Sequence, residues 1–169
     1  ARAVNNSKNR PYFILGGHGP SPDPTFFLKK TMADCVIVGE GEETIIELVE
    51  RLEAGKSPKG ISGLAYREGD VVFENPRREV IEDVDALPYP AWDLFPVNYY
   101  RQKRMPHSEP TDFVMPIISG RGCKFKCNFC YRMDPGQRIR SAESIVGEID
   151  ALKTQYDIPE VDCDSWVNR

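Results

Sequence analysis

Gly120-Arg121-Gly122-Cys123-Lys124-Phe125-Lys126-Cys127-Asn128-Phe129-Cys130-Tyr131 sets three cysteines at the spacing C-x3-C-x2-C. A loop this short can turn its thiolates onto one metal centre, because thiolate is the soft ligand that zinc and iron–sulfur clusters prefer. The count of three favours a cluster. A cubane [4Fe–4S] centre held by three cysteines keeps one iron open to a substrate or cofactor, whereas a structural zinc site calls for a fourth, closing ligand. Lys124, Phe125, Lys126 and Phe129 interleave the cysteines, so a zinc knuckle that meets nucleic acid is the competing reading of the loop taken alone.

With Phe129 just before the third cysteine and Tyr131 just after it, the loop resembles the cluster-binding loop of radical S-adenosylmethionine (SAM) enzymes. The resemblance implies that Cys123, Cys127 and Cys130 ligate a [4Fe–4S] cluster and that SAM chelates the fourth iron through its amino and carboxylate groups. The reduced cluster then splits the sulfonium, and the resulting 5′-deoxyadenosyl radical takes hydrogen from a small-molecule substrate. Phe129 and Tyr131 are implied as cofactor contacts, Tyr131 presenting backbone atoms to the adenine. An electron donor such as flavodoxin or ferredoxin is implied as partner. No catalytic side chain of the chain itself is assigned, since the cofactor carries the chemistry and the protein supplies ligation, orientation and shelter from water. Two other classes stand beside this reading. One is an iron–sulfur electron-transfer module closed by a fourth ligand, for which Cys163 is the candidate; the other is a zinc-stabilised structural module.

Working outward, Phe113 to Ser119 is apolar and predicts a strand leading directly into the cysteines. Asp134 to Gln137 turns the chain. Ser141 is a plausible helix N-cap, and Ile145, Val146, Ile149 and Leu152 fall on one helical face. Asp157-Ile158-Pro159 stops that helix, and Val161 to Trp166 is expected to form the next strand. In the radical SAM class this order makes the first βα units of a partial (β/α) barrel, with active loops at the C-terminal strand ends. The resemblance places Asp164 against the amino group of SAM. Cys163 reads as a core or strand-end thiol, and Arg138 and Arg140 as residues able to hold a carboxylate.

Upstream, Ala1 to Arg10 reads as the exposed end of a helix or a linker. Tyr12 to Leu15 predicts a short buried strand ending at Gly16-Gly17, and residues 18–24 are too rich in Gly and Pro for regular structure. A short helix over Thr25 to Lys30 follows, then a buried strand from Cys35 to Val38. Glu42 to Glu53 carries Ile45, Ile46, Leu48, Val49 and Leu52 at helical spacing, with acids in the first turn to suit the macrodipole. Strand–loop–helix–strand–helix is a parallel α/β pattern. It resembles the last third of the Rossmann-like cobalamin-binding domain fused ahead of one class of radical SAM enzymes, which includes the anaerobic magnesium-protoporphyrin monomethyl ester cyclase and many methyltransferases. Ligands bind outside the carboxyl ends of strands in such sheets, and glycine admits close approach, so the resemblance implies that Gly16 and Gly17 line the pocket for the cobalamin nucleotide tail. The Asp-x-His-x-x-Gly loop of that class is not among these 169 residues. His18 reads as a solvated loop histidine, Gly39-x-Gly41 lacks the third glycine of a dinucleotide fingerprint, and Cys35 reads as a small buried hydrophobe.

Between the two patterns, Ile61 to Arg67 and Val71 to Glu74 flank the turn signal Glu68-Gly69-Asp70 and predict a hairpin. Leu87-Pro88-Tyr89-Pro90-Ala91-Trp92-Asp93 is too proline-rich for a helix or central strand and resembles the interdomain linker of the same class, with Tyr89 and Trp92 packing it onto a domain surface. Asn98 to Arg104 reads as a solvated basic and aromatic face. The expected organisation is the C-terminal part of a cobalamin-binding domain over 1–56, hairpin and linker over 57–110, and the N-terminal part of a radical SAM core over 111–169. A chain of this content is expected to be a piece of a larger enzyme, inactive alone.

Composition bounds the rest. With 40% hydrophobic and 28% charged residues and a formal charge of −4, the chain is ordinary globular protein and lacks the basic footprint of nucleic-acid binding. It has no apolar run near the ~20 residues a membrane helix needs. Five cysteines, three of them clustered, suit a reducing cytoplasm better than a disulfide framework.

Overall fold

The computed structural model describes residues 1–101, 115–131, 134 and 136–156. The chain divides into two compact units, the first built from residues 1–81 with 128–134 and the second from the remainder.

In the first unit four strands, β1 (Ile14–Leu15), β2 (Cys35–Ile37), β3 (Leu64–Glu68) and β4 (Val71–Glu74), form a sheet in that spatial order. A four-residue helix, α1 (Arg2–Asn5), precedes them. The crossover helix α2 (Pro24–Thr31) makes β1 and β2 parallel. Pro24 suits its first turn, and the Asp23 carboxylate caps it by accepting from the Phe26 amide at 2.9 Å. After β2, Gly39 takes a positive φ of 84° and the chain turns into α3 (Glu42–Glu53), over the predicted span.

Alternation along β2 and β3 sorts the core onto two faces. Cys35, Ile37, Leu64 and Tyr66 meet Leu48 of α3 and Ile61, whereas Val36 and Ala65 meet Leu28 of α2 and Ala33. The sheet is therefore a filling between two helices. Strands β1 and β2 are parallel, as the strand–helix pattern predicts, and the sheet becomes mixed because β2 and β3 pair antiparallel and β3 and β4 form the anticipated hairpin. Gly69, at φ 59°, supplies the first position of its two-residue turn. The row of donors and acceptors along β2 offers this hairpin a partner, and residues 57–81, expected with the linker, thus fold with 1–56.

The second unit opens with two 3₁₀ turns, Val84–Ala86 and Trp92–Leu94, and a short helix α4 (Val97–Arg101). It continues through β5 (Gly120–Gly122), β6 (Gln137–Ile139) and α5 (Ala142–Tyr156). Strands β5 and β6 are antiparallel and flank the cysteine loop. Of the strand predicted over Phe113 to Ser119, residues 113–114 lie outside the described residues, and Met115 to Ser119 lie in no ladder: pairing begins at Gly120, because β6 reaches residues 120–122 from the far side of the loop. The predicted strand Val161 to Trp166 lies outside the described residues. Among the described residues no helix is long and apolar enough to cross a membrane.

Candidate metal centre

Strand β5 delivers the chain to Cys123, and glycine is required for it to do so. A Cβ on Gly120 would sit 2.6 Å from the Arg138 carbonyl oxygen of β6, a clash no L side chain avoids without parting the strands. Gly122 has φ 75°, and the turn it makes leads into the cysteines. Cys123 is half-buried, and Cys127 and Cys130 are exposed; all three are free thiols. The Cys130 Sγ lies 3.7 Å from the Tyr131 carbonyl oxygen. Phe129 is 89% exposed and Tyr131 is exposed as well. Among the described residues no three His, Cys, Asp or Glu side chains are gathered as metal ligands. The three thiols are accessible but not drawn together; their chemistry, sulfur alone, is that of iron–sulfur ligands.

The segment ahead of the loop is held by one arginine. The Arg140 amide donates to the Ser119 carbonyl at 2.9 Å, and its Nη1 donates to the Ile118 carbonyl at 3.0 Å. Nε and Nη2 reach the Ser144 hydroxyl at 3.2 and 3.0 Å, and Nη2 the Ser144 carbonyl at 3.1 Å. Nη1 also pairs with the Glu148 carboxylate. The Arg140 side chain is 11% exposed and that of Glu148 2%, and the Tyr89 ring lies 5.6 Å from the guanidinium. Arg140, read from the sequence as able to hold a carboxylate, thus holds that of Glu148 within the second unit.

Helix α5 starts at Ser141, as predicted: its hydroxyl accepts from the Ser144 amide at 3.1 Å. The Asp85 carboxylate in turn accepts from the Ser141 amide at 3.1 and 3.0 Å. Hydrogen bonds from Ser141 hold the Asp85 carboxyl below the usual carboxylate range. Tyr89 packs on the same helix, where a Cβ on Gly147 would meet its hydroxyl at 2.4 Å. The proline-rich segment is therefore docked on α5 through Asp85 and Tyr89, the packing role expected for Tyr89.

In the first unit Gly16 and Gly17 are exposed just beyond β1, and Gly17, at φ 88°, has open space where a side chain would stand. His18 is exposed. A cavity of about 250 Å³ is lined by Ser21, Val38, Glu74, Asn75, Arg77 and Tyr131 among others; Gly16 and Gly17 do not line it. Cys35 is fully buried in the sheet core, and burial, reinforced by nearby Asp34, pushes its thiol up to about 12, so it is the inert hydrophobe the sequence implies. Asp164 and Cys163 lie outside the described residues, as do residues 102–104 of the basic stretch.

The sequence reading missed Glu148. It placed Val146 on the inner face of α5, but Val146 is exposed and Glu148 is buried. The signal was available: residues 145, 148, 149 and 152 follow the i, i+3, i+4, i+7 pattern, and an acid inside such a stripe demands a partner. Asp85 was missed because its partner lies 56 residues away, which no local pattern records.

The chain shares its α/β fold with a part of solved cobalamin-dependent radical SAM enzymes. It is 34% identical over 170 residues to an uncharacterised methyltransferase of Pyrococcus horikoshii, covering 96% of this chain and 35% of that protein. To the anaerobic magnesium-protoporphyrin IX monomethyl ester cyclase of Rubrivivax gelatinosus it is 30% identical over 152 residues, covering 86% of this chain and 26% of the cyclase. Among solved structures it superposes on the cobalamin-dependent SAM radical enzyme OxsB, bound to aqua-cobalamin and SAM, with a TM-score of 0.70 at 21% identity, over 95% of this chain and 22% of that one. The radical SAM methyltransferase TsrM of Kitasatospora setae, with tryptophan and a SAM analogue bound, gives a TM-score of 0.64 at 22% identity, over 88% and 28%. The chain spans between 26% and 35% of the length of these two curated relatives. No family model matches it.

Proposed function

We propose that this chain is the part of a radical SAM enzyme that carries the cluster loop, with Cys123, Cys127 and Cys130 as ligands of a [4Fe–4S] cluster. The observation that carries the reading is the loop: three free thiols at C-x3-C-x2-C spacing, opened by a strand that only glycine allows to pair. Bound there, a [4Fe–4S] cluster with SAM on its open iron supplies reductive cleavage of the sulfonium to a 5′-deoxyadenosyl radical. The chain's own residues ligate and orient. Gly120 and Gly122 set where Cys123 leaves the strand, and the exposed Phe129 and Tyr131 stand beside the ligands as cofactor contacts. Asp164 is assigned to the SAM amino group by resemblance.

The first unit is read as the end of a cobalamin-binding domain, with Gly16 and Gly17 toward the nucleotide tail; the open side of Gly17 and the fold likeness support this. The second unit is read as the start of the radical SAM core. The reaction of the whole enzyme is methyl transfer or oxidative cyclisation on a small molecule, with electrons from a flavodoxin- or ferredoxin-like donor. Among the described residues all four cysteines are free, which suits the reducing cytoplasm.

Anaerobic reconstitution with iron and sulfide tests the ligand set. The expected result is about four irons and four sulfides per chain, lost in Cys123→Ala, Cys127→Ala and Cys130→Ala but kept in Cys35→Ala. Uptake of one zinc in place of the cluster would sink the proposal.

A further inference from the structure

Arg140 joins three parts of the second unit: the segment before the cysteines, through the carbonyls of Ile118 and Ser119; the first turns of α5, through Ser144 and Glu148; and the linker ring of Tyr89. All five guanidinium N–H groups have an acceptor in this arrangement, with Ser144 and Glu148 taking four and Ile118 the fifth. A buried Arg–Glu pair is a poor device for stability alone, since desolvation offsets much of its attraction and apolar residues of like volume do as well. What apolar residues cannot do is grip a carbonyl. Strands β5 and β6 share only three residue pairs, and so short a ladder is open to a slip in register that would turn every side chain to the opposite face. The Arg140 amide and guanidinium fix residues 118 and 119, immediately ahead of that ladder, and thereby fix which residue emerges at its end as Cys123.

We infer that Arg140, held by Glu148 and Ser144, is a positioning residue that locks the register of the strand entering the cysteine loop and so sets the geometry of the proposed cluster site. This rests on the proposed function. Arginine is needed for its fork; lysine keeps the charge but offers a single point of donation. Residues outside the ligand shell that orient ligands typically change metal affinity 10–100-fold when replaced.

The test compares wild type, Arg140→Lys and Ile149→Ala in the full-length protein after anaerobic reconstitution. Ile149→Ala removes a partly buried apolar group from α5 and leaves the Arg140 contacts in place. Cluster loss to an iron chelator is followed well below the melting temperature, with the electron paramagnetic resonance signal of the reduced protein recorded alongside. Arg140→Lys is expected to lose its cluster roughly tenfold faster or more and to give an altered signal, while Ile149→Ala melts lower but keeps wild-type retention and line shape. Should Arg140→Lys not fold, Glu148→Gln takes its place, with loss in the same direction. Equal retention in wild type and the Arg140 or Glu148 variant, or equal loss in Ile149→Ala, would overturn the inference while leaving the proposed function intact. A wild-type protein that takes up no cluster would overturn both.

Discussion

In each unit an arginine ties a helix, through acids of that helix, to neighbouring backbone, Arg78 in the first and Arg140 in the second, and the two ties differ in how much water they see. In the first unit Arg78 reaches Thr44 of α3 at 2.9 Å and the Ser62 carbonyl at 3.3 Å, and pairs with Glu43 and Glu47. Its side chain is 21% exposed, and those acids are 60% and 34% exposed. Arg140 and Glu148 in the second unit are nearly dry by comparison. Around Arg78 an apolar core already fixes the helix, with Leu48, Ile61, Leu64 and Cys35 fully or almost fully buried. In the second unit the described residues bury fewer apolar groups, Val84, Val97 and Leu152. Where packing fixes the geometry a charged pair is an accessory; where packing is sparse the pair itself carries position.

Substitutions can break this contrast. The largest effect is expected at Glu148→Ala, which leaves the Arg140 guanidinium buried without its counter-charge and should cost about 3–5 kcal/mol in urea unfolding. Leu48→Ala, on the packed face of α3, should follow at about 2–4 kcal/mol through lost burial and a residual cavity. Ser141→Ala removes the cap of α5 and should cost about 1 kcal/mol. Glu47→Gln, the counterpart of Glu148→Ala in the first unit, should cost only ~0–1 kcal/mol and lose even that as salt is raised. A Glu47 effect as large as that of Glu148 would erase the distinction drawn between the two ties.

The pH dependence of that smallest effect has a definite sign. A hydrogen bond from Arg78 holds the Glu47 carboxyl below the usual carboxylate range. The resulting stabilisation is present above the unfolded pKa of ~4.3 and is lost as pH falls through the lower folded value. Melting temperatures of wild type and Glu47→Gln should therefore differ at neutral pH and converge in acid below about pH 4.

The two regions also differ in what their sequences disclose. The span of α3 and the turn at Gly69 are visible as local pattern, since apolar spacing and glycine placement act over a few residues. The attachment of β3 to β2 is not, because hairpin signals specify a partner strand and not the sheet edge on which the pair lands. In the second unit the cysteine spacing and the Ser141 cap are legible, but the start of pairing at Gly120 depends on β6, beyond the loop. The Arg140 tie joins residues 118, 140, 144 and 148. Only Glu148 leaves a trace of it, as an acid in an apolar stripe.

The most direct measurement is electron paramagnetic resonance of the reconstituted, reduced protein with and without SAM. A [4Fe–4S]+ signal that shifts when SAM is added, and is absent from Cys127→Ala, is the result predicted for a three-cysteine cluster with an open iron. A cluster signal indifferent to SAM would contradict it and point to a centre closed by a fourth protein ligand.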